Sequence, residues 1–301
     1  MCRYTNIMEG GYNPETSPKD HFEQQFAKKE VIQTTAGPTE IVDIKPEIQK
    51  DNVPILLAPG WGDTPQAYKE SLKIIHGGNR RVLSVSHPRW GKSIAGDTDF
   101  PTPEARKVQS LIGVIDKKNL EKVDVIAHSE GAINAIIAAT LHPEKFRNIV
   151  LVSPGGLIGE DKLRKLVVRM LASAFRDTTQ TMRSSHEKGP FMNATSEMAK
   201  YFAKNPKRAI EEFNAIAKSD ILEMVKNLHD SGIGISVVAG VDDPIFPISR
   251  MTEILRDSRR AIDGFYSVKG GHNKLISDAR YTEASLNALD SLKYKQNKLD
   301  T

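Results

Sequence analysis

Short apolar runs alternate with longer amphipathic segments along most of this chain. The runs are rich in β-branched residues, as buried strands are, whereas the segments between them repeat their apolar positions with the period of a helix. The predicted strands cover residues 31–35, 40–45, 53–58, 81–86, 123–127, 148–152, 235–239 and 264–268. The predicted helices cover residues 64–76, 102–118, 129–141, 249–256 and 282–294. This alternation predicts an α/β fold with a mostly parallel eight-stranded sheet, helices on both faces and right-handed crossovers.

Two regions depart from the alternation. Residues 1–30 are polar and are interrupted by glycines and prolines, so we expect an N-terminal arm that lies over the surface or is partly disordered. Residues 155–230 show helical periodicity but no strand pattern, and such a long connection is unusual inside a compact domain. We therefore predict a helical cap over 155–230, inserted into a core formed by residues 31–154 and 231–301.

Composition narrows the class of protein. The chain has 301 residues, 39% of them hydrophobic, which is enough to bury a large core. Its formal charge of +4 is the difference between 42 basic and 38 acidic residues, and no basic stripe accompanies it, so nucleic-acid binding is not expected. Cys2 is the single cysteine, which rules out a disulfide framework and favours the cytosol. Signal-peptide features and apolar runs of about 18 residues are both missing, so we expect a cytoplasmic protein without a membrane span and leave a homodimer open.

One apolar run ends abruptly in a serine. Residues 123–126 read as a buried strand, and they lead through Ala127, His128 and Ser129 into a segment rich in helix formers. A serine between strand and helix, with small residues two positions before and after it, is typical of the nucleophile elbow G-x-S-x-G. Gly131 fits the pattern, and Ala127 replaces the first glycine. An ordinary serine N-cap produces a similar short pattern, so these five residues alone leave both interpretations open.

Three further loops follow predicted strands and carry candidate catalytic residues. Pro59-Gly60-Trp61-Gly62 follows the strand at 53–58, Asp242 and Asp243 follow the strand at 235–239, and Lys269-Gly270-Gly271-His272 follows the strand at 264–268. The chain order serine, acid, histidine is that of the α/β-hydrolases. From about residue 31 to about residue 294, the sequence resembles this family.

The resemblance implies a role for each of these residues. Ser129 would be the nucleophile, His272 its general base and Asp243 the carboxylate that orients the histidine. Asp243 is preferred over Asp242 because its spacing from Gly240 looks like the G-x-x-D motif of the family. The backbone N–H groups of Trp61 and Glu130 would form the oxyanion hole. His128 is assigned to packing, since its side chain should point away from Ser129.

The expected reaction is hydrolysis of a carboxylic ester or lactone through an acyl-enzyme on Ser129. Soft and aromatic residues in the cap region favour an apolar acyl group, and an acyl-homoserine lactone would suit such a pocket. The substrate-pocket candidates are Phe175, Met192, Phe202 and Phe246. The sequence contains no H-x-H or H-E-x-x-H spacing and no cofactor motif, so neither a metal nor a cofactor is expected. The same residues are also compatible with thioester hydrolysis, carbon–carbon hydrolysis, acyl transfer or a non-enzymatic ligand receptor.

Overall fold

A single sheet forms the centre of the molecule. The computed structural model describes residues 18–87, 103–181, 203, 206–257, 261–273 and 278–299. Within these ranges the strands are β1 (Glu30–Thr34), β2 (Gly37–Ile44), β3 (Asp51–Ala58), β4 (Arg80–Ser86), β5 (Val123–His128), β6 (Phe146–Val152), β7 (Gly234–Gly240) and β8 (Gly264–Val268). Their order across the sheet is β1-β2-β4-β3-β5-β6-β7-β8. Among these strands β2 runs opposite to the other seven, so the predicted mostly parallel eight-stranded sheet is confirmed.

Helices cover both faces of this sheet. In chain order those described are α1 (Pro18–Ala27), α2 (Lys69–Gly77), α3 (Pro103–Lys117), α4 (Glu130–Leu141), α5 (Leu163–Thr181), α6 (Pro206–Lys218), α7 (Leu222–Asp230), α8 (Ile248–Asp257) and α9 (Ala279–Leu299). Alternate residues of β3 point to opposite faces, so that Ile55 and Leu57 join one apolar core while Leu56 and Ala58 join the other. The first core lies under α1, α2 and α9, and the second lies under α3, α4 and the helices α6 to α8.

The parallel strands bring the candidate loops together. Every residue of β5 and of β7 is buried, as expected for strands covered on both faces. Because β3, β5, β7 and β8 all run in the same direction, their carboxyl ends meet at one edge of the sheet. The loops that leave this edge carry Trp61, Ser129, Asp243 and His272, in that order along the chain.

The N-terminal region contributes to the core. Phe22 and Phe26 lie four residues apart on α1, only 1% and 6% exposed, and their rings stack with centroids 5.7 Å apart. They belong to the apolar core that α2 and α9 also cover. Within the predicted N-terminal arm, Pro18–Ala27 therefore forms a helix that two aromatic residues on one face anchor to the core. Residues 1–17 lie outside the described ranges.

All described elements between β6 and β7 are helices. α5 and α6 pack against each other, and α6 also contacts α3. α7 packs on α4 and β7, which places it in the helix layer of the sheet. The limits of the cap at 155–230 stay a prediction. Among the described helices, none combines the length and the apolar composition that crossing a membrane would require.

Candidate active site

Ser129 sits on a strained turn between β5 and α4. Its φ of 55° and ψ of −119° are unusual for a residue other than glycine. The Ser129 N–H donates to the carbonyl of Val152 at 3.0 Å, which ties the turn to the neighbouring strand β6. A Cβ atom at Gly131 would lie 2.4 Å from the carbonyl oxygen of Ala58 and 2.6 Å from that of Pro59. Glycine is therefore required two residues after the serine, because α4 starts directly against the end of β3.

A chain of hydrogen bonds runs from Ser129 through His272 to Asp243. His272 Nε2 lies 2.9 Å from Ser129 Oγ, and His272 Nδ1 lies 2.8 Å from Asp243 Oδ2. The carboxylate can only accept, so Nδ1 carries the proton and the Nε2 of a neutral ring faces the serine hydroxyl as an acceptor. Both His272 and Asp243 are 4% exposed. The structure therefore brings together three residues that are far apart in the sequence.

Asp243 is held as an ionised acceptor. Its second oxygen, Oδ1, accepts the N–H groups of Ile245 and Phe246 at 2.8 and 3.1 Å. Burial by itself would raise the pKa of Asp243, but the His272 ring and these two donors outweigh that effect and hold the pKa below its usual value. Asp242 is partly exposed, and its N–H donates to the carbonyl of Gly270. The structure thus places the carboxylate of Asp243 on His272.

The loop after β3 lies directly beside the serine. A Cβ atom at Gly60 would be 3.3 Å from Ser129 Cβ, so the absence of a side chain lets this loop approach the elbow. Trp61, the next residue, is 6% exposed, and its ring lies 4.1 Å from that of Phe213 on α6. Glu130 follows Ser129 as the first residue of α4. Both residues expected to supply oxyanion N–H groups therefore neighbour the nucleophile.

His128 connects two of these loops. Its Nε2 lies 3.0 Å from the carbonyl oxygen of His272 and donates to it, while its Nδ1 lies 2.7 Å from the hydroxyl of Tyr68. The same hydroxyl accepts the N–H of Gly60 at 2.9 Å and lies 2.8 Å from Asp63 Oδ2. Burial, with a smaller contribution from His272, lowers the pKa of His128 to about 3, so the ring is neutral. These contacts go beyond the packing role that the sequence indicates for His128. Its partner Tyr68 is 60 residues away, so the sequence could not have revealed the link.

Comparison with known proteins identifies the family. Residues 55–278 match the sequence model of the Alpha/beta hydrolase family. The chain belongs to the alpha/beta hydrolase family. It is 24% identical over 184 residues to a 2-hydroxy-6-oxononadienedioate/2-hydroxy-6-oxononatrienedioate hydrolase from Paraburkholderia phymatum, a match that covers 59% of this chain and 54% of that relative. The chain thus spans about half the length of that relative.

Solved structures of low sequence identity share the fold. A thermophilic esterase from Thermogutta terrifontis superposes with a TM-score of 0.62 at 19% identity, covering 88% of this chain and 99% of that one. A meta-cleavage product hydrolase from Pseudomonas fluorescens IP01 superposes with a TM-score of 0.56 at 16% identity, covering 87% and 97% of the two chains. These two structures therefore share the overall fold of this chain.

Two buried charged groups of this alpha/beta hydrolase escaped the sequence analysis. Lys107 on α3 donates to both carboxylate oxygens of Glu130, at 2.6 and 2.7 Å. Glu212 on α6 accepts the indole N–H of Trp61 at 2.8 Å. The Glu130 carboxylate, on the first residue of α4, is therefore paired with a cation from a different helix. A usable signal was present, since Lys107 lies on the same face of α3 as the buried Leu111 and Val114.

The structure describes the side chain of one of the four substrate-pocket candidates. Phe246 is 5% exposed, and its ring lies 5.3 Å from that of His272, so it neighbours the centre of the site. Phe175 lies within α5, in a part whose side chains are not described. Met192 and Phe202 lie outside the described residues.

Proposed function

We propose that this alpha/beta hydrolase cleaves a carboxylic ester or lactone through an acyl-enzyme on Ser129. The observation that carries the proposal is the continuous chain of contacts from Ser129 Oγ to His272 Nε2 and from His272 Nδ1 to Asp243. A serine hydroxyl is a weak nucleophile at neutral pH and needs such a base to become reactive. The strained backbone of Ser129 supports the proposal, because strain of this kind is concentrated at functional sites.

The residues define a two-step reaction. As Ser129 Oγ attacks the carbonyl carbon, its proton passes to His272 Nε2, and the carbonyl oxygen becomes an oxyanion that the N–H groups of Trp61 and Glu130 stabilise. His272 then returns the proton to the leaving alkoxide, and the acyl-enzyme forms. Water attacks the acyl-enzyme in the second step with the same histidine as base. Asp243 keeps the imidazole in the required tautomer and stabilises its charged form, and each oxyanion donor would contribute about 3 kcal/mol.

The proposed substrate carries a mostly apolar acyl group. Phe246 supports this choice, since its buried ring lies next to His272, where the acyl group of an intermediate would be held. The proposed pocket also includes Phe175, Met192 and Phe202, which lie in the predicted cap region of the sequence. Among lactones, an acyl-homoserine lactone combines the required ring ester with an apolar chain.

A serine-directed fluorophosphonate tests the nucleophile. We expect rapid labelling of the wild-type protein and none of Ser129→Ala. Ser129→Ala and His272→Ala should each lower kcat by several orders of magnitude, with the double variant little worse, because these residues act as a unit. A panel of p-nitrophenyl esters of increasing acyl length, measured beside lactones, then defines the substrate. A folded wild-type protein that is not labelled would instead indicate a ligand receptor.

Hydrolysis of a carbon–carbon bond in a 2-hydroxy-6-oxo acid is the second candidate. The similarity to the Paraburkholderia phymatum hydrolase supports it, because that protein acts on 2-hydroxy-6-oxononadienedioate by its name. The same Ser129, His272 and Asp243 would serve. Measured specificity distinguishes the two candidates. A kcat/KM for the dienedioate that exceeds the values for every ester and lactone would support carbon–carbon hydrolysis.

A further inference from the structure

Three charged side chains are buried together behind the proposed oxyanion hole. Lys107 is 7% exposed, and Glu130 and Glu212 are each 1% exposed. They come from three different elements, namely α3, the start of α4, and α6 in the predicted cap. The proposed reaction uses none of these three side chains, although burying a charge is costly unless it is well paired.

The contacts of this cluster reach both proposed oxyanion donors. Lys107 Nζ donates to Glu130 and lies 3.4 Å from Glu212 Oε1. Glu212 Oε2 in turn accepts the indole N–H of Trp61. The side chains of Trp61 and Glu130 are therefore linked through Lys107 and Glu212, and the ring of Phe213, the next residue of α6, packs at a tilt against the Trp61 ring.

The cluster holds a charged lysine between two buried carboxyl groups. Burial would lower the pKa of Lys107, but Glu130 and Glu212 outweigh it and raise that pKa, so the lysine stays charged. Burial also raises the pKa of Glu130, to about 7, although Lys107 acts against this rise. Hydrogen bonds with a charged partner are short and strong in a buried setting. Two more charged groups face the cluster: the buried Glu104 acts on Lys107, and Arg208 Nε lies 3.4 Å from Glu212 Oε1.

We infer that Lys107 and Glu212 are positioning residues that hold the backbone N–H groups of Trp61 and Glu130 in the geometry of the oxyanion hole. Since Glu212 belongs to α6, docking of this helix on the core also completes the catalytic centre. The inference rests on the proposed function, because it assigns a role to the same two N–H groups.

The first experiment separates catalysis from stability. Lys107→Met and Glu212→Gln should each lower kcat roughly tenfold to a hundredfold and change KM less than about threefold, since the oxyanion forms only in the transition state. Affinity for a trifluoromethyl ketone, whose adduct with Ser129 places an oxyanion in the hole, should fall with kcat. The matched control is Arg80→Met: Arg80 is a similarly buried cation paired with Asp124 at the opposite edge of the sheet, and its loss should lower stability without lowering kcat.

The second experiment reports on Trp61 without any turnover. The chain has two tryptophans, so Trp90→Phe leaves Trp61 as the single tryptophan fluorophore. In that background, Lys107→Met and Glu212→Gln should make Trp61 more accessible to acrylamide quenching, whereas Arg80→Met should not. Unchanged kcat, inhibitor affinity and quenching in both variants, with a wild-type protein that is labelled on Ser129, would overturn the positioning role alone. A wild-type protein that is not labelled would overturn the proposed function, and the positioning role with it.

Discussion

At the scale of single residues, the site depends on which of two adjacent carboxylates reaches the histidine. Consecutive residues that leave a strand point in different directions, so only one of them ordinarily faces a given neighbour. Asp243 turns inward because its Oδ1 accepts two backbone N–H groups of the following turn, which leaves Oδ2 for His272. Asp242 stays partly exposed.

Substitution of the two carboxylates tests this difference. Asp243→Asn keeps the shape of the side chain but loses the charge that stabilises the imidazolium, so kcat should fall by about 10³ to 10⁴. Asp242→Asn should change kcat by less than about threefold, because Asp243 already supplies the carboxylate that His272 Nδ1 contacts. The measurement is kcat and KM for both variants on one p-nitrophenyl ester. A severe defect in Asp242→Asn with a nearly normal Asp243→Asn would reverse the assignment.

At the scale of elements, close approach of β3 and α4 creates the elbow. The space between them admits no side chain at Gly131, where a Cβ atom would meet two backbone carbonyls that cannot move aside cheaply. α1 shows the opposite case, since two aromatic residues are enough to fasten a short polar helix to the sheet. At both sites, packing between elements determines how much a residue contributes to the stability of the fold.

Gly131→Ala should therefore destabilise the fold. We expect a loss of about 2 to 4 kcal/mol in the free energy of unfolding, with a parallel loss of activity, because the start of α4 must shift. The control is Gly77→Ala at the exposed end of α2, where the added Cβ would meet nothing within 4 Å. That change should be neutral or stabilising by up to about 1 kcal/mol. Denaturant unfolding of both variants makes the comparison, and equal stabilities would contradict the packing account.

Phe22→Ala should be costly although it lies near the start of the chain. Emptying a fully buried aromatic site costs about 3 to 5 kcal/mol, whereas Gln24→Ala on the exposed face of α1 should stay within about 0.5 kcal/mol of the wild type. The measurement is the midpoint of urea unfolding. A small effect of Phe22→Ala would mean that α1 contributes little to the stability of the fold.

At the scale of the whole molecule, the two edges of the sheet hold different kinds of residues: candidate catalytic residues at one edge and buried ion pairs at the other. The carboxyl edge holds the strained serine, the neutral His128 and the triad-like chain of contacts. The amino edge holds a buried ion-pair network in which Asp124 pairs with Arg80 and Arg147. Ion pairs at one edge can stabilise the fold without restricting the chemistry at the other.

The buried neutral His128 should make global stability depend on pH. Its pKa falls from 6.5 to about 3 on folding, so between these values the unfolded chain binds a proton that the native protein does not. Stability should therefore fall as the pH is lowered below about 6.5, by at most about 1.4 kcal/mol per pH unit.

The variant His128→Gln isolates this contribution. Urea unfolding at pH 7 and pH 5 should show a loss of stability in the wild type that exceeds the loss in the variant by up to about 2 kcal/mol. This pH range lies above the ordinary titration of carboxylates, which limits their contribution. Equal losses in the two proteins would mean that His128 is charged in the native state.

Much of this protein could be predicted from local sequence. Strand and helix periodicity predicted the sheet, because the burial of alternate or successive residues leaves a pattern in consecutive positions. The elbow was visible around Ser129, since its small neighbours, Ala127 and Gly131, and the change from strand to helix all lie within a few residues. The family order of serine, acid and histidine then pointed to Asp243 and His272 through their own loop motifs.

Only the tertiary structure decided the contacts between distant segments. The links of His128 to Tyr68, of Lys107 to Glu130 and of Glu212 to Trp61 join residues separated by 60, 23 and 151 positions. Periodicity can indicate that a residue such as Lys107 faces the core, but it cannot indicate which distant residue it meets there. The burial of Phe22 and Phe26 depends in the same way on a sheet surface that is built from later strands. The catalytic motifs can be recognised from neighbouring residues, whereas the contacts that hold them in place form only when distant segments of the chain fold together.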